Sequence, residues 1–343
     1  MFSFAPRMAQ QLFTDPIPIV TERGQTEQQL QLAYDTYGTF VPGKSKVVWI
    51  CHALTASSDA AGWWPELVGE GNVINPEAYY IICVNLPSSC YGSSGPHSTN
   101  PETGQPYYNA FPWFTIRDII RAFIRLREAL HIEQIDLLLG GSMGGYQCLE
   151  WALAEPERIG SLMLIATSAR ESAWGIAIHS AQRLAIESDP TFGEQSKAAG
   201  ARGLKTARAI GMLTYRSYQA FNDTQADSDE RIDDFRAESY INYQGDKLVN
   251  RFNAYSYWML TKTMDSHNIG RGRGGVEAAL AQIRCRTLVI GITTDFLCPN
   301  AEQELLAKHI PGAVLEIIES PFGHDGFLVE GKKVGELLLK HLL

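Results

Sequence analysis

The feature that most constrains the fold of this chain is a serine with glycines on both sides, in Gly140-Gly141-Ser142-Met143-Gly144. The apolar run at 135–139 before it predicts a buried strand, and residues 146–153 after it predict a helix. A strand that turns directly into a helix strains the residue at the turn and requires glycine on either side of it. The pattern therefore predicts an exposed, nucleophilic Ser142; an incidental turn is the alternative.

The rest of the chain repeats the alternation of strand and helix. Short apolar runs occur at 46–54, 79–84, 135–140, 161–166, 287–292 and 314–318. Between them, residues 115–130 carry apolar side chains at helical spacing. Strands that alternate with helices predict a mostly parallel sheet with helices on both faces. Together with the turn at Ser142, this predicts an α/β-hydrolase fold.

The alternation stops between about residues 170 and 275, where the sequence is helical, aromatic and polar. It resumes in the apolar run at 287–292, so the intervening segment returns the chain to the same core. We therefore expect a catalytic core formed by residues 1–169 and 276–343, and a helical lid insertion at 170–275.

A serine hydroxyl is a weak nucleophile until a base takes its proton, and in this fold an aspartate and then a histidine follow the serine along the chain. Asp295 lies just after the predicted strand at 287–292, and His324 lies after the one at 314–318. Because each follows the C-terminal end of a predicted strand, we expect both side chains at the carboxyl edge of the sheet. We interpret Ser142, Asp295 and His324 as a catalytic triad; a surface aspartate and a loop histidine are the alternative.

Two backbone N–H groups are candidates for an oxyanion hole. The fold places one donor in the loop after an early strand, which favours Leu54, and the other on the residue after the nucleophile, Met143. Such donors stabilise the developing oxyanion by several kcal/mol. His52 precedes Leu54 and we expect it to have a structural role.

Composition narrows the possible partners. The formal charge of −9 argues against nucleic acid or an anionic membrane as a partner, and no run reaches membrane-spanning length. The six cysteines are scattered singly, without the spacing of a zinc site, which predicts buried thiols and no metal. The first residues lack a basic stretch followed by a long apolar one, so we expect a cytoplasmic protein that acts on small molecules.

Several longer stretches, spread over most of the chain, resemble the homoserine O-acetyltransferase family. They are Cys51-His52-Ala53-Leu54-Thr55, Gly62-Trp63-Trp64, Cys90-Tyr91-Gly92-Ser93-Ser94-Gly95-Pro96, Asn100-Pro101-x-Thr103-Gly104, Gly140-Gly141-Ser142-Met143-Gly144-Gly145, Gly270-Arg271-Gly272-Arg273-Gly274-Gly275 and Gly323-His324-Asp325-Gly326-Phe327-Leu328.

The resemblance implies an acyltransferase of methionine biosynthesis. Ser142 would take the acetyl group of acetyl-CoA, and the side-chain hydroxyl of L-homoserine would then receive it, with His324 as base and acid. Acetyl-CoA would be a co-substrate, with no further cofactor. The resemblance also implies a homodimer with lid helices at its interface.

The same resemblance suggests which residues bind the acceptor. Arg208 matches the family arginine that pairs with the substrate carboxylate, and Asp325 matches the residue that meets the amino group. Arg216 is the rival for Arg208. Arg271 and Arg273 could meet coenzyme A phosphates or could tie a turn by ion pairs.

One departure from the family leaves the substrates open. The family usually has Leu-Gly-Gly or Leu-Gly-Ser before the cysteine at position 90, whereas this chain has Leu86-Pro87-Ser88-Ser89. Proline fixes φ and removes an N–H, so this loop differs. Serine as acceptor and a succinyl donor stay open, as does an esterase that transfers the acyl group to water. A non-catalytic relative is a further alternative, which the complete triad disfavours.

Overall fold

The computed structural model describes residues 9–343, so the N-terminal segment on which the cytoplasmic prediction partly rests lies outside the described residues. Within 9–343, no helix is both long enough and apolar enough to cross a bilayer.

Eight strands form one sheet, which is parallel except at one edge. The described residues contain ten strands in all: β1 (Gln11–Thr14), β2 (Ile19–Val20), β3 (Thr26–Glu27), β4 (Gln31–Tyr37), β5 (Lys46–Cys51), β6 (Tyr79–Val84), β7 (Ile135–Gly141), β8 (Ile159–Ile165), β9 (Arg286–Ile292) and β10 (Val314–Ile318). The order in the sheet is β1-β4-β6-β5-β7-β8-β9-β10, and β2 and β3 form a separate hairpin. Strands β5 to β10 run parallel, and β4 is antiparallel to both of its neighbours. This confirms the predicted α/β-hydrolase fold and mostly parallel sheet.

Helices cover both faces of the sheet. They are α1 (Ala60–Trp63), α2 (Ile116–Ala129), α3 (Met143–Ala154), α4 (Ala173–Glu187), α5 (Ala201–Tyr215), α6 (Tyr218–Gln225), α7 (Arg236–Val249), α8 (Ala254–Asp265), α9 (Val276–Leu280), α10 (Asn300–His309), α11 (Gly326–Val329) and α12 (Gly331–His341). The predicted helix at 115–130 is α2, which begins after Thr115. The Thr115 side chain accepts from the Asp118 N–H, and Asp118 accepts from the Thr115 N–H, which closes a capping box.

Each face of the sheet has its own apolar core. On one face Trp49 of β5 packs edge-on against Trp151 of α3, with ring centres 4.8 Å apart. On the other face Trp64 packs edge-on against Phe327, and its indole N–H donates to the Phe327 carbonyl. Phe327 follows shortly after His324, so this contact fixes the loop that carries the candidate base.

The chain between β8 and β9 contains α4 to α9 and no strand of the main sheet. Helices α4 and α5 pack against each other, and α5 also packs against α7 and against the 3-10 turn Gly323–Asp325. The segment that we predict to be a lid therefore contacts the loop of His324.

Candidate active site

Ser142 occupies the turn between β7 and α3 in a strained conformation. Its φ is 54° and its ψ is −126°, a region that side-chain-bearing residues rarely adopt. The turn is tight because two glycines allow backbone to approach backbone. A Cβ on Gly144 would lie 2.1 Å from the Cys51 carbonyl oxygen, and one on Gly140 would lie 2.5 Å from the Gly144 carbonyl.

The structure brings Ser142, His324 and Asp295 into one hydrogen-bonded chain. The Ser142 Oγ lies 2.9 Å from the His324 Nε2, and the Asp295 Oδ2 lies 2.7 Å from the His324 Nδ1. The other oxygen of Asp295 accepts the backbone N–H groups of Leu297 and Cys298, each at 2.9 Å. All three members are at most 9 % exposed. The arrangement can pass the serine proton to an imidazole whose other nitrogen is fixed by a carboxylate.

Two opposing effects act on the pKa of His324. Burial lowers the pKa because it disfavours the imidazolium, whereas the charge of Asp295 and its hydrogen bond raise the pKa. The net direction is upward. The site therefore stabilises the imidazolium that forms when Ser142 gives up its proton.

The candidate oxyanion donors Leu54 and Met143 flank the nucleophile, and neither N–H has a protein acceptor within residues 9–343. Hydrogen bonds from a buried side chain hold the loop that carries Leu54 next to the start of α3. The Gln147 side chain donates to the carbonyls of His52 and Met143, at 3.0 and 3.1 Å. His52 is fully buried and accepts the Leu86 N–H at 3.3 Å; burial lowers the pKa of His52 to about 4. These contacts agree with the structural role expected of His52.

The triad opens into a cavity of about 470 Å³ between the core and the helical segment. Leu54, Ser142, His324, Arg208 and Asp325 all line it. The structure thus brings these five predicted residues together, whereas Asp295 and Met143 do not line the cavity. The volume is within the range of small-molecule sites.

Arg208 and Asp325 differ in how they are paired. Arg208 has no carboxylate partner within residues 9–343; its Nε is buried without a hydrogen bond, and its guanidinium carbon lies 5.4 Å from the centre of the Tyr215 ring. Asp325 accepts from the Nε of Arg216 at 3.1 Å. Burial raises the pKa of Asp325, and the charges of Arg216, His324 and Arg208 only partly offset that effect. The rival arginine therefore has a partner already, whereas Arg208 does not.

Arg271 and Arg273 do not line the cavity. Arg271 pairs with Glu22 at 2.7 Å, and Arg273 pairs with the buried Glu150 at 2.8 Å. Arg117 also pairs with Glu150, at 3.1 Å. These contacts support the interpretation that the arginines tie a turn by ion pairs, rather than bind phosphate.

Sequence reasoning missed three residues that line the cavity. Gln182 and His179, one turn apart on α4, and Arg251 line it, and Arg251 donates to the Thr55 carbonyl at 2.5 Å. The sequence around Gln182 and His179 does not indicate that they face a cavity, because only the packing of α4 turns them inward. Cys298 was expected to be a buried thiol, and its sulfur lies within 4.8 Å of ligand atoms of Asp295 and His324. The ligand atoms of Asp295 and His324 are hydrogen-bonded within the triad, so this cluster belongs to the triad.

The loop at Pro87 borders the same site. Leu86 contacts His52 as described, and Tyr91 at the end of the loop lines the cavity. The Tyr91 hydroxyl accepts from Arg251 at 2.5 Å. The departure from the family pattern therefore lies next to the oxyanion loop and not at a remote surface.

Comparison with known proteins identifies the same family. The model of the alpha/beta hydrolase fold family matches residues 46–331. A homoserine O-acetyltransferase from Cyclobacterium marinum is 44% identical over 331 residues, 96% of this chain and 94% of that protein. The crystal structure of a homoserine O-acetyltransferase from Bacillus anthracis has a TM-score of 0.88 at 26% identity and covers 97% of this chain and 98% of its own. The crystal structure of esterase E22 has the same TM-score at 23% identity, and the match covers 97% of this chain and 99% of that one. This likeness shows only the shared fold.

Proposed function

The chain belongs to the homoserine O-acetyltransferase family of the α/β-hydrolase fold, and on that premise we propose that it transfers an acetyl group from acetyl-CoA to L-homoserine through an acyl-enzyme on Ser142. The observation that carries the proposal is Arg208, which lines the cavity of the triad and forms no ion pair with a carboxylate among residues 9–343. An ester hydrolase has no need of such a group, whereas an amino-acid acceptor brings a carboxylate to pair with it.

In the first half-reaction, His324 Nε2 takes the proton of the Ser142 hydroxyl as the oxygen attacks the thioester carbon. The N–H groups of Leu54 and Met143 stabilise the oxyanion that forms. The intermediate collapses as the carbon–sulfur bond breaks, and the imidazolium gives its proton to the leaving coenzyme A thiolate. Asp295 keeps Nδ1 protonated and oriented throughout.

In the second half-reaction, His324 takes the proton of the homoserine hydroxyl, whose oxygen attacks the acyl-enzyme. The tetrahedral intermediate collapses to O-acetyl-L-homoserine and returns the proton to Ser142. Arg208 pairs with the substrate carboxylate, and Asp325 accepts from its ammonium group. These two contacts hold the hydroxyl at the acyl carbon, so that it outcompetes water through proximity. The chemistry requires no metal or organic cofactor besides acetyl-CoA as co-substrate.

The decisive experiment separates transfer from hydrolysis. Purified protein is mixed with acetyl-CoA, and the release of coenzyme A is followed with and without L-homoserine. We expect a burst of about one equivalent without the acceptor, and steady turnover with it. Fast, continuous release that ignores homoserine would refute the transferase and establish a hydrolase.

A second set of assays tests the choice of substrates and the role of Arg208. Acetyl-CoA and succinyl-CoA are compared as donors, and L-homoserine and L-serine as acceptors; we expect the acetyl-CoA and homoserine pair to have the highest kcat/KM. Arg208→Ala should raise the KM for homoserine strongly while the burst with acetyl-CoA persists, because only the acceptor carboxylate loses its partner. Equal damage to both half-reactions would contradict this role.

As part of the same proposal, residues 170–275 act as a lid over a core of residues 1–169 and 276–343, and two copies associate through the lid. Support for the dimer comes from exposed apolar side chains on and beside the lid helices, including Tyr218 at 84% and Ile232 at 96% exposure. Light scattering after gel filtration tests it, and a monomer at micromolar concentration would contradict it. The six unpaired thiols favour a reducing compartment such as the cytoplasm.

A further inference from the structure

Gln182 on α4 is a buried amide without a partner. It is 1% exposed and lines the cavity of the triad. Its Oε1 is enclosed and accepts no hydrogen bond, and its Nε2 donates none, within residues 9–343. The Nε2 is not enclosed, so its N–H groups are free to donate into the cavity that Gln182 lines. A ligand in the cavity can supply the acceptor that Nε2 lacks.

The neighbours of Gln182 indicate which part of a ligand it meets. A Cβ on Gly211 of α5 would lie 3.1 Å from the Gln182 Nε2 and 3.2 Å from a ring carbon of Tyr215. The guanidinium of Arg208 lies against the same ring. The Gln182 amide on α4 and the Arg208 guanidinium on α5 therefore both lie near Tyr215, and within residues 9–343 neither donates a hydrogen bond. A carboxylate, with two oxygens and about four lone-pair positions, is the amino-acid group that can accept from both.

Building on the proposed function, we propose that Gln182 belongs to the acceptor subsite and that its Nε2 donates a hydrogen bond to the α-carboxylate of L-homoserine beside Arg208. The charge of Arg208 disfavours the ammonium group at this position, and Asp325, which also lines the cavity, supplies a negative charge for that group. Gln182 is a specificity-determining residue: it selects an acceptor with a carboxylate and takes no part in the proton transfers.

The test combines two variants with two acceptors. Gln182→Leu removes the amide, and Gln182→Glu replaces it with a carboxylate that repels the substrate carboxylate. The acceptors are L-homoserine and 3-amino-1-propanol, which is homoserine without its carboxylate. Gln219→Glu, at an exposed position of α6 outside the cavity, is the matched control.

We expect Gln182→Leu to raise the KM for homoserine by about 10- to 100-fold, the range of a hydrogen bond to a charged group. The effect on kcat/KM for 3-amino-1-propanol should be below about twofold, since the contact is missing in both proteins. Gln182→Glu should raise the homoserine KM further, and the Gln219 control should match wild type. The burst of coenzyme A from acetyl-CoA should be unchanged in all variants.

Other outcomes overturn the proposal. A Gln182→Glu protein that binds homoserine as well as wild type would place the amide against the ammonium group. Equal losses with both acceptors, or a slower burst, would make Gln182 a packing residue. Calorimetric binding of homoserine to Ser142→Ala, with and without Gln182→Leu, checks the same contact without turnover. A wild-type protein that does not acetylate homoserine would instead refute the proposed function itself.

Discussion

Replacing Asp295 with asparagine should trap His324 in the wrong tautomer. One carboxylate oxygen of Asp295 accepts two backbone N–H groups at 2.9 Å, and the other faces the His324 Nδ1 at 2.7 Å. An asparagine has a single oxygen, and turning its NH₂ toward the two backbone donors would leave both unsatisfied, at about 1–3 kcal/mol each. The oxygen therefore stays with the backbone, and the NH₂ faces Nδ1.

With an NH₂ opposite Nδ1, that nitrogen has to be the acceptor, and the imidazole proton moves to Nε2. Nε2 then presents an N–H to the Ser142 Oγ and cannot take its proton. The same substitution in a serine protease lowers kcat by about 10⁴, and we expect a loss of that order in the burst phase measured by stopped flow with a thiol reagent. Thermal melting should stay close to wild type, and Asp233→Asn, at an exposed position, is the control. Activity within tenfold of wild type would show that another carboxylate orients His324.

Three further predictions concern pH, the turn and the ion pairs. Because the pKa of His324 is raised and the base has to be neutral, kcat/KM for acetyl-CoA should increase with pH through a midpoint above about 6.5; a lower midpoint would contradict the influence of Asp295. Gly144→Ala should slow both half-reactions by about 100-fold or more, because the alanine Cβ displaces the Cys51 carbonyl and with it the oxyanion loop. A variant with normal rates in both half-reactions would refute this role of Gly144. Glu150→Gln should lower the free energy of unfolding in urea by about 3 kcal/mol, because Arg117 and Arg273 lose the carboxylate they share. The KM for acetyl-CoA should not change, and a raised KM would show that Arg273 binds the donor.

The parallel part of the sheet could be predicted from the sequence because its strands are buried on both faces and appear as continuous apolar runs. The predicted run at 314–318 matches β10, and the other five contain or overlap β5 to β9. The strands before residue 46 were missed. Strand β4 is buried along most of its length, yet it carries Asp35 and Thr36, which interrupt the apolar run. The Asp35 carboxylate accepts from the Ser58 hydroxyl at 2.5 Å, a partner that no local pattern indicates.

The meeting of Ser142, Asp295 and His324 could be predicted because each follows a recognisable strand, and the carboxyl ends of parallel strands meet at one edge of the sheet. Gln182 could not be predicted in this way. A polar residue on an amphipathic helix normally faces solvent, and only the packing of α4 on α5 turns this one inward. The sequence also contains no sign that its amide lacks a partner, because hydrogen bonds between distant residues depend on the fold.

The sequence also does not show which arginines are already paired with a carboxylate, whereas the structure does. In the sequence, Arg208 ranks first for the acceptor carboxylate, Arg216 is its rival, and Arg271 and Arg273 are candidates for coenzyme A phosphates. In three dimensions each of the last three lies against a carboxylate at 2.7–3.1 Å. An arginine paired in this way has its charge balanced by the protein, so a substrate carboxylate would have to compete with that partner. Arg208 lines the cavity and forms no ion pair with a carboxylate among residues 9–343, so an acceptor carboxylate can bind there without displacing a paired one.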